Sequence, residues 1–161
     1  MRHNGNGRSL IPEDWNEDND PEKDFPLKES YQDFANRERN FEITMQDIKL
    51  GFVVDAREIG KDDGYYFAAF NGTSPYLALG DLRCRIRRAL CVKHLQKRPS
   101  GEYSAADDTL RGRISFDRDT NQVAFVVDGI LLPLKDFARI VSTFEGFQFS
   151  LRFYDRTEEV P

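Results

Sequence analysis

Arg83, Arg85, Arg87, Arg88, Lys93, Lys97 and Arg98 fall between residues 83 and 98 with no acid among them. A guanidinium presents a rigid fork of donors that fits a carboxylate or a phosphate, so this block is suited to holding anions. On a helical wheel Arg83, Arg87, His94 and Arg98 form one strip, apart from the leucines. These four are the candidate binding residues. The bland alternative is the solvated side of an amphipathic helix. Against it stands the pair Arg83 and Arg87, like charges at i,i+4 that no acid relieves.

Other constellations are weaker. Asp117, Asp119, Asn121 and Asp128 hold positions 1, 3, 5 and 12 of a calcium-loop spacing, but position 6 is Gln122 where that loop needs glycine. The β-branched residues around them read as strands, so an ordinary polar hairpin is expected. Cys84 and Cys91 lie on one helical stripe, about 10 Å apart along the axis at 1.5 Å per residue, too far to bridge. Burial against a neighbouring element is expected for both. A zinc site would need more ligands than His3 and His94 supply. No nucleophile motif, phosphate loop, dinucleotide fingerprint or zincin helix is present, and Glu145 and Asp128 are an imaginable acid and base pair. Each already has a task at a helix end or a turn. No catalytic, cofactor-binding or metal-binding residue is therefore assigned.

The elements that must position the strip follow from periodicity. Phe41, Ile43 and Met45 alternate with polar residues, and Ile48, Leu50, Phe52 and Val54 follow one frame shifted, which predicts a bulge or tight turn near Asp47. Residues 60–64 are turn chemistry, and 65–70 read as a strand. Ser74-Pro75 is a helix start, with Leu79, Leu82, Ile86, Ala89 and Leu90 on one face; the helix is expected to reach His94 or Gln96 and stop before Pro99. Strand patterns around Ile114 and over 123–127 flank a hairpin loop at 118–121. Asp128-Gly129 predicts a type I′ turn into Ile130-Leu131-Leu132. A short helix is expected from Pro133 to about Glu145, with Gly146 as its left-handed cap. Phe147, Phe149, Leu151 and Phe153 alternate with Gln148, Ser150 and Arg152, which predicts a closing strand.

Val127-Asp128-Gly129, then Phe137, then Phe144-Glu145-Gly146-Phe147-Gln148-Phe149 resembles a family of small bacterial domains of unknown function. The resemblance covers residues 110–155 best and 64–98 less well. It implies a shared α+β fold and brings no activity, cofactor or catalytic residue.

With 161 residues, 39% hydrophobic, there is room for one core. The expected architecture is a single α+β domain over residues 38–155, a mainly antiparallel meandering sheet with two helices packed on one face. Residues 13–33 hold Glu13, Asp14, Glu17, Asp18, Asp20, Glu22, Asp24, Glu29 and Asp33 against Lys23 and Lys28, so the net charge of −5 is concentrated ahead of the body. Residues 1–33 are expected to form a flexible acidic leader outside the fold. No apolar run is long enough to span a membrane, no secretory pattern opens the chain, and a cytoplasmic location is expected.

These features point to a non-enzymatic binding or adaptor domain whose basic helix face engages an acidic protein partner or its own leader. A nucleic-acid-associated protein is the alternative, with Tyr154, Arg152, Arg111 and Arg113 adding to the basic surface. A pI near 5.1 argues against it. An enzyme of unrecognised type is third.

Overall fold

The computed structural model describes residues 20–161; the part of the expected leader that precedes residue 20 lies outside the described residues. A one-turn helix α1 (Pro21–Asp24) leads into strands β1 (Leu27–Gln32), β2 (Glu38–Ile48), β3 (Gly51–Glu58) and β4 (Tyr66–Asn71), then helix α2 (Pro75–Leu90). Strands β5 (Leu95–Lys97), β6 (Tyr103–Ala105), β7 (Arg113–Asp117), β8 (Gln122–Val127) and β9 (Ile130–Pro133) follow, then helix α3 (Leu134–Ser142). All strand pairs are antiparallel.

The α+β class holds, but the expected single meander is three separate sheets: β1-β2-β3-β4, β5-β6 and β7-β8-β9. In β2, Phe41 and Ile43 point inward while Glu42 and Thr44 point out. They meet Val54, Ala56 and Ala69 of the sheet and Ala78, Leu79, Leu82, Ile86 and Leu90 of α2, forming the larger core. Each such large apolar side chain contributes about 1.5–3 kcal/mol by leaving water. The frame shift resolves as a two-residue turn, Lys49-Leu50, because Ile48 pairs with Gly51.

A second, smaller core joins Leu95, Val127, Leu132 and Ile140. Phe137 of α3 stacks on Phe125 of β8 with ring centroids 3.8 Å apart. The two longer helices therefore cover different sheets, which corrects the expectation of two helices on one face. Helix α2 starts as expected: Ser74 Oγ accepts from the Tyr76 N–H at 3.1 Å, and Pro75 occupies the first turn.

Three further corrections have physical causes. The acidic stretch does not stay outside the fold as far as residue 33, because β1 pairs with β2 from Leu27↔Ile43 to Gln32↔Glu38; its alternating side chains match a sheet edge despite the acidic composition. Helix α2 stops at Leu90 rather than at His94 or Gln96, because Leu95–Lys97 is drawn into pairing with β6. The expected closing strand over Phe147–Phe153 pairs with nothing among the described residues, and its apolar side chains are exposed.

Candidate anion-binding cleft

The early end of α2 dismantles the expected basic strip. Arg83 and Arg87 remain on the helix, facing β1: Arg83 contacts Glu29 at 2.6 Å, and the Arg87 guanidinium lies 5.8 Å from the Tyr31 ring centroid. His94 is buried in the connection to β5, and Arg98 is exposed in the β5–β6 turn. Arg85 pairs with Asp81 at 2.8 Å, and Arg88 with Glu159 at 2.7 Å. The four candidate residues thus do not form one solvent-facing row, because a helical wheel extends only as far as the helix does. Cys84 and Cys91 are free and exposed, contrary to the burial expected of them. The leucine face of α2 takes the core, and the cysteine stripe lies beside it.

Buried polar groups instead join the two cores. Arg39 contacts Asp33 at 3.0 Å and Glu58 at 2.9 Å, all three side chains being almost wholly buried. Burial penalises the charged form of Asp33. The N–H groups of Arg37 and Ala35 and the Arg39 guanidinium outweigh it and hold the carboxyl below its usual range. Glu58 also accepts from the Tyr65 N–H at 3.0 Å. Burial, then the nearby Asp128 charge, push the Tyr65 phenol up, and its hydroxyl has no hydrogen-bond partner.

From the second half the β8–β9 turn reaches this group. Asp128 and Gly129 adopt φ of 53° and 70°, the positive pair a type I′ turn requires. A Cβ on Gly129 would lie 2.7 Å from the Tyr65 ring, so only glycine permits the contact. Asp128 Oδ2 accepts from the His94 and Leu95 N–H groups at 2.8 Å, and Oδ1 lies 3.1 Å from His94 Nδ1. Asp117, at the other hairpin, accepts from Asp119 N and Thr120 Oγ1. The aspartates of the calcium-like spacing therefore serve two different turns. Among the described residues no group of three or more His, Cys, Asp or Glu could hold a metal ion.

Beside this junction opens a cleft of about 1940 Å³ whose lining includes Arg57, Tyr66, Arg111, Arg113, Phe125, Leu151 and Phe153, together with the acids Glu42, Asp62, Asp155 and Glu158. Arg113 dominates its chemistry. It donates to Gly64 O at 3.2 Å, its Nε is buried without a partner, and no carboxylate of the described residues lies within ion-pair distance. Desolvation lowers its pKa; Asp63 and Tyr66 partly offset this, while Arg57 adds to it by repulsion. Arg57 and Arg113 lie 5.3 and 5.7 Å from the Tyr66 ring centroid. The nearest carboxylate to Arg57 is Asp55, at 3.9 Å. Arg111 reaches His94 Nε2 at 3.4 Å. Two neighbouring cations with so little compensation favour an acidic group placed between them. Arg111 and Arg113 were legible as basic residues near a strand; that Arg57, more than fifty residues earlier, joins them was not.

Two domains of unknown function cover residues 23–158: DUF7686 matches residues 23–91 and DUF7713 matches residues 94–158. The division falls at the end of α2, so the first match holds the β1–β4 sheet and the second the two smaller sheets. No curated protein and no solved structure matches the chain.

Proposed function

We propose that the chain is a non-enzymatic binding domain that engages an acidic protein segment in the cleft between its two halves. Arg113 is the principal contact, with Arg57 and Arg111 beside it. The observation that carries this reading is the half-buried Arg113 guanidinium, which has an orphaned Nε and, although Asp63 acts on it from farther off, no carboxylate of the described residues within ion-pair distance. A cation kept partly from water without a counter-ion costs stability, and a carboxylate supplied by a partner removes that cost. A volume of about 1940 Å³ leaves room for a segment of polypeptide, with Phe125 and Tyr66 among the lining residues. The site replaces the α2 strip, whose Arg83 faces Glu29.

The test is a fluorescence anisotropy titration with a labelled polyglutamate peptide and an oligonucleotide of equal charge, each over a salt series. The expected result is peptide binding that weakens at least about tenfold in Arg113→Glu, a loss of about 1.4 kcal/mol or more, and changes little in Arg98→Glu. Tighter oligonucleotide binding with a steep salt slope would favour the nucleic-acid reading instead.

A further inference from the structure

Residues 147–153 follow α3 through Gly146, whose φ is +88°, and have no strand partner among the described residues. Phe147, Phe149, Leu151 and Phe153 are 70%, 92%, 69% and 68% exposed. The segment is nevertheless held at both ends. On one side the Phe144 and Phe147 rings meet edge to face at 5.6 Å. On the other, Arg88 binds Glu159, Arg85 donates to the Thr157 carbonyl, and Asp155 is tied to Glu158 and Thr157. A strand pattern is therefore held in place with its edges unpaired among the described residues and four large apolar side chains in water.

We propose that this segment pairs antiparallel with the same segment of a second copy, the two-fold axis passing at Ser150. The alternation is symmetric about that residue. Phe147 falls opposite Phe153 of the second copy, Phe149 opposite Leu151, and Gln148 opposite Arg152, so the single charge of the segment never meets itself. Having no acid and one arginine, the segment offers an acidic partner little, whereas an identical strand meets no like charge. The area also suits a dimer. At roughly 200 Å² per large apolar side chain, the four exposed side chains offer on the order of 600 Å² per copy, and Ile114, exposed and lining the same cleft as Leu151 and Phe153, brings this toward the ~800 Å² per partner of a stable interface. Leu151 and Phe153 line the same cleft as Ile114 and Val123, so the paired ribbon has an apolar surface of the body to seat on. Arg57, Arg111 and Arg113 take no part in the strand pairing, although Leu151 and Phe153 line the same cleft as they do.

The experiment is the molar mass of the full chain in solution by light scattering over a micromolar concentration range, with two sets of variants. The wild type is expected at twice the 18.7 kDa of one chain, and Phe149→Glu and Phe149→Ser at 18.7 kDa, with unchanged circular dichroism. In a Cys84→Ser/Cys91→Ser background, Ser150→Cys is expected to form an intermolecular disulfide on mild oxidation, because directly opposed positions have the Cα separation a disulfide needs. Gln148→Cys, facing Arg152, is not. A wild-type monomer overturns the proposal, whatever else then covers the segment. So does a dimer that survives both Phe149 changes, or a disulfide that forms at Gln148→Cys in preference to Ser150→Cys.

Discussion

Asp128 grips the chain at His94 from two directions, with one carboxylate oxygen on the His94 and Leu95 N–H groups at 2.8 Å and the other 3.1 Å from the His94 ring. Thirty-four residues separate the two in sequence. This clasp ties the β8–β9 turn to the segment that follows α2, and so closes the second half of the chain on its own first residues.

Asp128→Ala is expected to cost about 2–4 kcal/mol, since it leaves two buried N–H groups unpaired and puts a side chain unsuited to positive φ at the turn. Asp128→Asn keeps an acceptor and tolerates the φ, and is expected to cost less than half as much. Urea denaturation of the two variants beside the wild type checks this.

Arg39 sits between two buried carboxylates, so Arg39→Met leaves Asp33 and Glu58 with only the more exposed Arg37, at 3.3 Å, and Lys61, at 3.6 Å, as counter-ions. A loss of about 3–5 kcal/mol is expected. The double change Arg39→Met/Glu58→Gln is expected to recover part of it; no recovery in chemical denaturation would argue against the network.

Acid is expected to destabilise the fold partly through Asp33. Its folded pKa lies below the unfolded one, so its contribution is complete above the unfolded value, about 3.9, and fades as the pH falls through the folded one. The urea midpoint of the wild type is expected to drop below about pH 4, and Asp33→Asn to show a shallower drop over the same range.

Gly129→Ala is expected to destabilise by about 1–3 kcal/mol, because its Cβ would meet the Tyr65 ring at 2.7 Å and the Glu58 carboxylate at 3.3 Å, at a φ of +70°. Pairing it with Tyr65→Ala separates the clash from the φ strain. The glycine substitution is expected to cost less in that background, as thermal denaturation would read.

Arg113→Met is expected to leave stability within about 1 kcal/mol of the wild type or to raise it, since it removes a desolvated cation that makes one hydrogen bond at 3.2 Å. A marked loss in thermal denaturation would mean that the guanidinium serves the fold rather than a ligand.

Local chemistry was enough to place most elements. The β2 alternation, the Ser74-Pro75 helix start, the hairpin loop at residues 118–121 and the Asp128-Gly129 turn depend on neighbours within a few residues, where periodicity and φ preference act directly. The candidate site was less legible. Its expected strip rested on extending one helical wheel through His94 and Arg98, and the chain leaves the helix before either of them.

The sequence by itself determined the α+β class, the two principal helix starts, the hairpins and a strand-forming pattern at residues 147–153, because these follow from local φ preference and side-chain alternation. Only the tertiary structure decided where α2 stops, that the strands divide into three sheets, and that β1 of the acidic stretch joins the first of them. It alone brought Arg57 to Arg113 and Asp128 to His94. Those outcomes depend on pairings and buried charges between residues far apart in the chain. Their energies belong to the packed arrangement, and no window of sequence contains both partners.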